Sequence, residues 1–469
     1  MTKISTLTTT GLQPFAIPSE DGNLPPLQNA GFFGRSQELQ QIERALITNE
    51  TRCLSVTGIG GQGKTYLAIE AGQRLYRSQQ FQKICFVDYA AFSRVDAVDL
   101  AVKTLAMVLD ENLVNVTTIT EALAKTPTLV ILDNLDNIPA GQLQELLDAA
   151  AQWAEVGACR VLITSQKADF KHEFTENNLK YKIFPLSGFS KKEALAYFQR
   201  LWELPPAPQV KVPKPAELLS LFKQVAFHPL SIGLLAIPLK VFHPTVLEER
   251  LAGLLAQTPD DPLWAVLNFA LADLEVEIER SGWLYWLARL LGRRTTQKVR
   301  LEAKTLRLLP RLGVFQGGAF EPDLLEITEF EQKQWRILRS TLEAAGLIQL
   351  EFLPRFRGPY LKFHPILAPT LWCRFSSAEE QAFVLSDYQQ RYAQLVAYMA
   401  YDEGRNTIQV HALTRRNLSN LLYAVHGAFD DGETWAVQFA KNLNIFLNYF
   451  GFRRDSAALN QRIEDVGNK

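Results

Sequence analysis

The residues Gly58-Ile59-Gly60-Gly61-Gln62-Gly63-Lys64-Thr65 have the types and spacing needed to hold a polyphosphate, the pattern G-x-x-x-x-G-K-[ST] in full. Glycines let the backbone wrap closely, so that its N–H groups point at phosphate oxygens. Lys64 places a positive charge on the β- and γ-phosphates, and the Thr65 hydroxyl is a ligand for Mg²⁺. Tyr66 follows in the first turn of the expected helix, whose positive end faces the same phosphates. A second chemical element is Asp133, which closes the apolar run Thr128-Leu129-Val130-Ile131-Leu132. At the carboxyl end of a parallel strand it is placed to hold Mg²⁺ through water.

The surrounding pattern supplies the frame. Apolar, β-branched runs lie at Cys53–Thr57, Ile84–Val87, Leu129–Leu132, Arg160–Thr164 and Ile183–Leu186, separated by helical patterns. Short buried runs with long crossovers predict a parallel five-stranded sheet with helices on both faces. The phosphate motif follows the first run and opens a helix over 65–77, the strand–loop–helix order it requires. A helix is expected over 37–47, and Ser190-x-x-Glu193 forms a capping box for another over 191–201. Residues 1–31 read as a leader without a core. The proline-rich stretch 205–215 reads as a linker, 216–257 as helices around Phe227-His228-Pro229-Leu230, and 263–312 as long helical material. Residues 313–375 mix helix with strand-like runs at Leu347–Phe352 and Tyr360–Phe363, and 378–469 are helical again.

The 469 residues are enough for about three cores at roughly 150 residues each. With 49 basic and 50 acidic residues the net charge is -1, which gives no global pull toward nucleic acid or an anionic membrane. Cys53, Cys85, Cys159 and Cys373 form no C-x-x-C pair, so a zinc site or disulfide framework is not expected. The first three read as buried hydrophobes of a reducing cytoplasm. The longest uncharged apolar stretch, 225–239, is too short to span a bilayer and contains Pro229 and Pro238. A cytoplasmic protein is expected.

Phe33-Gly34-Arg35, the P-loop, Leu132-Asp133-Asn134-Leu135-Asp136, Val161-Leu162-Ile163-Thr164-Ser165 and His228-Pro229-Leu230 occur in this order. The set resembles the NB-ARC branch of the STAND NTPases, signal-transduction ATPases with numerous domains that are related to apoptotic and plant immune switches. The resemblance runs from about residue 32 to the C-terminus. It implies ATP or ADP with Mg²⁺ as the ligand. The segment Phe33-Gly34-Arg35 then lies against the adenine, and Pro229 packs on the base from a helical domain. The stretch from Leu308 to Gly318 resembles the winged-helix region of bacterial members. Phe363-His364-Pro365 stands where the family has Met-His-Asp, which makes His364 the candidate latch on the β-phosphate of ADP.

Three departures accompany it. Asn134 replaces the second acid that orients water in many members, so hydrolysis is expected to be slow, with Asp136 as the substitute. Gln166 replaces a γ-phosphate-sensing arginine, and Pro365 replaces the aspartate of the latch. His228 and His364 also suit a core role beside apolar residues, and Pro229 suits simple helix breaking.

Residues 417–425 resemble the helix preceding tetratricopeptide repeats in bacterial members, with further helices about 433–449 and 454–463. No 34-residue self-repeat is visible, so the sequence reads as a piece ending before a repeat array. Arg289, Arg293, Arg294, Lys298, Arg300, Lys304, Arg307 and Arg311 face a single acid, Glu302. A solvated helix face is the plainer reading of that run, and a nucleic-acid patch the alternative.

The expected layout is a leader (1–31), a nucleotide-binding domain (32–204), a helical domain (205–262), a winged-helix-like domain (263–375) and a TPR-like helical start (376–469). The expected function is a switch held off by ADP and opened by nucleotide exchange. An unidentified ligand or protein would act at the C-terminal repeats, and the open form would homo-oligomerise. The competing readings are a DNA-binding transcription regulator and a housekeeping ATPase.

Overall fold

The computed structural model describes residues 22–467 apart from 28–30, 49, 92–93, 177–179, 205–207, 209, 258–261, 272–274, 280–295 and 353–357. The chain divides into two compact units. One comprises Met1–Ser187, Phe315–Ala319 and Leu385–Lys469; the other Gly188–Val314 and Phe320–Val384.

The first unit is built on a parallel sheet. Its strands are β1 (Cys53–Thr57), β2 (Lys83–Asp88), β3 (Thr128–Asp133), β4 (Arg160–Ser165) and β5 (Tyr181–Pro185), in the order β2-β3-β4-β1-β5. Every residue of β1, β3 and β4 is buried, as their unbroken apolar runs require when helices cover both faces. The helices are α1 (Ser36–Ile47), α2 (Lys64–Arg77), α3 (Ala97–Leu109), α4 (Val116–Lys125) and α5 (Ala140–Glu155). On one face Leu39, Ile42 and Leu46 of α1 and Leu67, Ala71 and Leu75 of α2 pack with Leu54, Leu129, Ile131 and Leu162 of the sheet.

Part of the presumed leader belongs to this core. Gly22 makes a parallel bridge to Ile84 on the edge strand β2. Asn23 then clamps Phe86, donating Nδ2 to its carbonyl at 2.8 Å and accepting its N–H at 2.7 Å. Leu24 and Leu27 lie on the same hydrophobic cluster. A strap of this kind satisfies edge groups that would otherwise need water. It carries no periodicity of its own and was therefore not legible as structure.

From Leu385 onward the C-terminal helices complete the first unit. The helical segment Ala378–Asp430 folds back on itself. Tyr388 Oη bonds Asn420 Oδ1 at 2.8 Å, and Thr414 Oγ1 lies 3.4 Å from Met399 Sδ. In a straight helix those pairs would stand roughly 48 and 22 Å apart, so the reversal falls between Met399 and Thr414. The helices Ala436–Phe450 and Arg453–Gly467 follow, with Gly451 as a left-handed C-cap between them. The last helix docks on the start of α3. The Arg454 N–H donates to Asp99 Oδ2 at 2.8 Å, and its guanidinium reaches Glu145 at 2.6 Å and Asp96 at 3.5 Å. Asp455 is 4 % exposed. Its Oδ1 accepts the Asp96 N–H at 2.9 Å, while its Oδ2 is buried without a hydrogen-bond partner. Burial and the neighbouring Asp96 and Asp99 push this carboxyl up to about 8.

The second unit is largely helical. Ser190 and Glu193 form the expected capping box on the helix Lys191–Glu203. The helices Pro215–Gln224, Pro229–Leu239, Pro244–Gln257 and Pro262–Leu271 follow, with Phe198 and Phe222 in ring contact at 5.7 Å. The stretch expected as long helical material, 263–312, is instead interrupted. Strands Glu275–Glu279 and Thr296–Arg300 pair antiparallel, before a short helix Ala303–Leu308 and a 3-10 turn Leu309–Val314. The alternation Glu-Val-Glu-Ile-Glu has the two-residue period of a strand, which outweighs the helix-forming glutamates. Helices Glu321–Thr328 and Gln332–Ala344 precede an antiparallel pair, Ile348–Glu351 with Tyr360–Phe363. Of the basic run, Arg289, Arg293 and Arg294 lie outside the described residues. Arg311 is buried and paired with Glu329 and Glu380. Among the described residues no helix is long and apolar enough to cross a membrane.

Candidate functional site

The P-loop connects β1 to α2, held at its root by two neighbouring strand ends. The Gly58 N–H donates to Ser165 O at 3.2 Å, and the Leu186 N–H to Thr57 O at 2.7 Å. A Cβ on Gly58 would meet the Leu186 carbonyl oxygen at 2.7 Å, so only glycine fits there. Gly63 has φ 92 and caps α2 in the left-handed region, where a side chain is strained. Lys64 is buried inside the loop, its Nζ 2.7 Å from Gly58 O and 3.1 Å from Ile59 O. Burial lowers its pKa, and the nearby Asp136 and Asp133 carboxylates oppose that shift.

Arg35 braces the loop from outside. Its Nη2 donates to Ser187 O at 2.6 Å and to Gln62 O at 3.3 Å, while Nη1 pairs with Glu38 at 3.0 Å. Arg35 itself has φ 62 and stands at the start of α1, directly after Gly34 at φ 63. The Phe33-Gly34-Arg35 segment thus reaches the P-loop through the Arg35 guanidinium.

Asp133 and Thr65 meet across the P-loop. The Thr65 hydroxyl lies 2.9 and 3.0 Å from the two Asp133 carboxylate oxygens, and the Thr164 hydroxyl of β4 also donates to this carboxylate. Burial first, and the Asp88 charge second, push the Asp133 carboxyl up to about 7, against the Thr164 and Thr65 hydroxyls and Lys64. A hydroxyl and a fully buried carboxylate are hard oxygen donors, and a carboxylate with raised proton affinity gains most from a cation. The donor set therefore fits Mg²⁺.

Asp136 is committed to the loop after β4. Its carboxylate accepts the Ser165 hydroxyl at 2.7 Å, the Gln166 N–H at 2.8 Å and the Lys167 N–H at 3.3 Å. The Gln166 side chain is exposed, and its backbone, rather than its amide, makes that contact. Asn134 adopts φ 62 and donates to both Asp133 at 2.6 Å and Asp88 at 3.1 Å. Asp88 was not singled out from the sequence. Its signal was there, since Ile-Cys-Phe-Val-Asp ends β2 as Leu-Val-Ile-Leu-Asp ends β3, and the two acids pair in register.

The first unit thus brings together Phe33-Gly34-Arg35, the P-loop, Asp133, Asn134 and Asp136. Pro229 and His364 belong to the second unit. Pro229 opens its helix at N1, behind His228, whose ring accepts the Ser231 N–H at 3.3 Å and lies 2.9 Å from the Ser231 hydroxyl. His364 follows the strand Tyr360–Phe363 and is half-buried. Its N–H donates to Leu347 O at 2.8 Å, and its Nδ1 accepts the Ile366 N–H at 3.3 Å.

Comparison with known proteins agrees with this geometry. The NACHT domain family matches residues 52–204. An uncharacterised WD repeat-containing protein of Nostoc sp. is 23% identical over 190 residues, which is 36% of this chain and 15% of that protein. Among solved structures, a STAND protein with a tetratricopeptide repeat sensor from Pyrococcus horikoshii is similar in fold. It matches at a TM-score of 0.51 and 17% identity, over 95% of this chain and 55% of that one. The chain thus spans about half the length of that structure and a seventh of the Nostoc protein. The STAND class read from the motifs is supported through the NACHT domain rather than through NB-ARC. Residues 52–204, with their P-loop, match the NACHT domain family, and the chain shares the fold of a STAND protein.

Proposed function

We propose that the protein is a nucleotide-dependent signalling switch that binds ADP or ATP with Mg²⁺ at the P-loop. The observation that carries the reading is the meeting of Thr65 and Asp133 at 2.9 and 3.0 Å beside the buried Lys64. Backbone N–H groups from Gly58 to Thr65, including Ile59, Gly60, Gly61 and Gln62, take the phosphates, with Tyr66 in the first helical turn. Thr65 and Asp133 hold the ion, which would neutralise phosphate charge. Hydrolysis is slow in this reading. Asn134 is an amide occupied with two carboxylates, and Asp136 becomes a base only by giving up its bonds to Ser165, Gln166 and Lys167.

The off state is the ADP form, with Phe33-Gly34-Arg35 and Pro229 at the base and His364 at the β-phosphate. Between 303 and 363, short helices, a strand at Gly318–Phe320, two further helices and an antiparallel strand pair support a winged-helix-like module. The fold-back helix pair and the two helices after it support a TPR-like sensor beginning near residue 376. Signal at that region would release ADP, admit ATP and permit assembly with further copies of the chain.

The test is to denature the purified protein and identify the released nucleotide by chromatography, then to exchange it for a non-hydrolysable ATP analogue and measure hydrodynamic size. About one ADP per chain and a larger species after exchange are expected. A protein that neither carries nor binds adenine nucleotide refutes the reading.

A further inference from the structure

Two carboxylates end neighbouring parallel strands. Asp88 closes β2 and Asp133 closes β3, paired directly in register. Two acids so placed repel each other, the more strongly because Asp133 has no exposure to water. The repulsion is bridged by one side chain. The Asn134 amide nitrogen donates to Asp133 Oδ2 at 2.6 Å and to Asp88 Oδ1 at 3.1 Å.

Every part of this bridge is fixed from elsewhere. The Asn134 N–H donates to Thr164 Oγ1 at 3.0 Å, and the Thr164 hydroxyl in turn donates to Asp133. Asp88 Oδ1 also accepts the Ala90 N–H at 2.9 Å, and the Ala90 carbonyl takes a bond from Asn137 Nδ2 at 3.1 Å. Asn134 holds a left-handed backbone, φ 62, which asparagine tolerates better than other side-chain-bearing residues. An acid at this position would add a third negative charge and could not donate to both neighbours. The amide is therefore more than a lost base. Its donors match the two acceptors on either side.

We infer that Asp88 is a positioning residue for the Mg²⁺ site, acting through Asn134 to fix the orientation of the Asp133 carboxylate. Asp88 itself does not bind the ion. It anchors the amide that leaves Asp133 Oδ1 and Oδ2 facing Thr65. Partners that orient a metal-binding carboxylate in this way typically change metal affinity by about 10- to 100-fold when removed. The inference rests on the nucleotide site proposed above and adds a residue to it.

The experiment titrates a fluorescent ADP analogue into wild type, Asp88→Ala, Asp88→Asn and Asn134→Ala, in EDTA and across a Mg²⁺ series. Turnover plays no part in the readout. Asp88→Ala and Asn134→Ala should bind the analogue in EDTA as wild type does, but need about tenfold or more Mg²⁺ for the half-maximal change in affinity. Asp88→Asn should stay close to wild type, because an amide oxygen still accepts from Asn134 and from the Ala90 N–H. A wild-type Mg²⁺ requirement in Asp88→Ala overturns the inference. So does an Asp88→Asn protein as impaired as Asp88→Ala, which would assign the effect to charge. If Asp88→Ala fails to fold, Asn134→Ala decides in the same way. Loss of analogue binding by wild type in both conditions overturns the nucleotide site and this inference together. Wild-type binding with an unchanged Mg²⁺ requirement in the variants overturns this inference alone.

Discussion

Replacing Asp455 by asparagine should make the docking of the last helix insensitive to pH. The Asp455 carboxyl is 4 % exposed, faces Asp96 and Asp99 of α3, and is pushed up to about 8 from an ordinary 3.8. Docked, it keeps its proton to about pH 8; undocked and solvated, it has lost it by about pH 5. The docked state therefore binds more protons, and its stability falls as pH rises through the folded value. For a group moving between 3.8 and about 8, the loss between pH 6 and pH 8 amounts to roughly 2 kcal/mol. Other charges bear on the same place. Arg454 lies on the same helix, Glu145 on α5 and Lys103 on α3, and Asp99 is itself raised, chiefly by burial. His426, buried and pulled down to about 4, titrates in the opposite sense. These contributions largely cancel in the difference between wild type and Asp455→Asn. Hydrogen exchange over 453–467 at pH 6, 7 and 8, corrected for intrinsic rates, reads the local stability. The wild-type segment should lose protection relative to the variant by about 30-fold over that range, the equivalent of roughly 2 kcal/mol. Parallel pH profiles in the two proteins would refute the argument.

Lys64→Ala should abolish retention of nucleotide on gel filtration while leaving the circular dichroism of the fold unchanged, since the Nζ bonds only loop carbonyls. Arg35→Ala removes bonds to Gln62 O and Ser187 O from a buried site and should destabilise the first unit by about 2 to 4 kcal/mol in urea titration. Retained wild-type stability would show that the brace is dispensable. Asn23→Ala breaks both bonds to Phe86 and should raise protease cleavage near residue 22, with about 1 to 3 kcal/mol lost in thermal unfolding.

The nucleotide-binding core was legible because its signals are local. A glycine-rich turn after an apolar run, and an acid closing a second run, each reflect a single backbone requirement, and β1 through β5 fall where those runs lie. What escaped depends on partners distant in sequence. Asn23 matters only because Phe86 is 63 residues away, and Thr164 only because β3 and β4 are neighbours. Asp88 had the same local form as Asp133 but lacked a motif to draw attention to it. The fold-back of Ala378–Asp430 leaves a continuous helical pattern, and only contacts such as Tyr388 with Asn420 reveal it. The strand at 275–279 alternates charged and apolar residues, but its partner at 296–300, Thr-Gln-Lys-Val-Arg, has a single apolar residue and no such period, so the pair was not legible.

The bond from the Asp96 N–H to Asp455 joins residues 359 apart in the chain. During synthesis at about 5 to 20 residues per second, the interval between them is roughly 20 to 70 s. The sheet and its phosphate loop leave the ribosome well before the helix that docks on α3. For that time the α3 surface faces water and every competing chain in the cell. Its chemistry suits such an exposure, because Asp96, Asp99 and Glu145 present charge at the docking point rather than a bare apolar strip. Ions and hydrogen bonds at the docking point keep that place hydrated until the helix Arg453–Gly467 arrives to close on it.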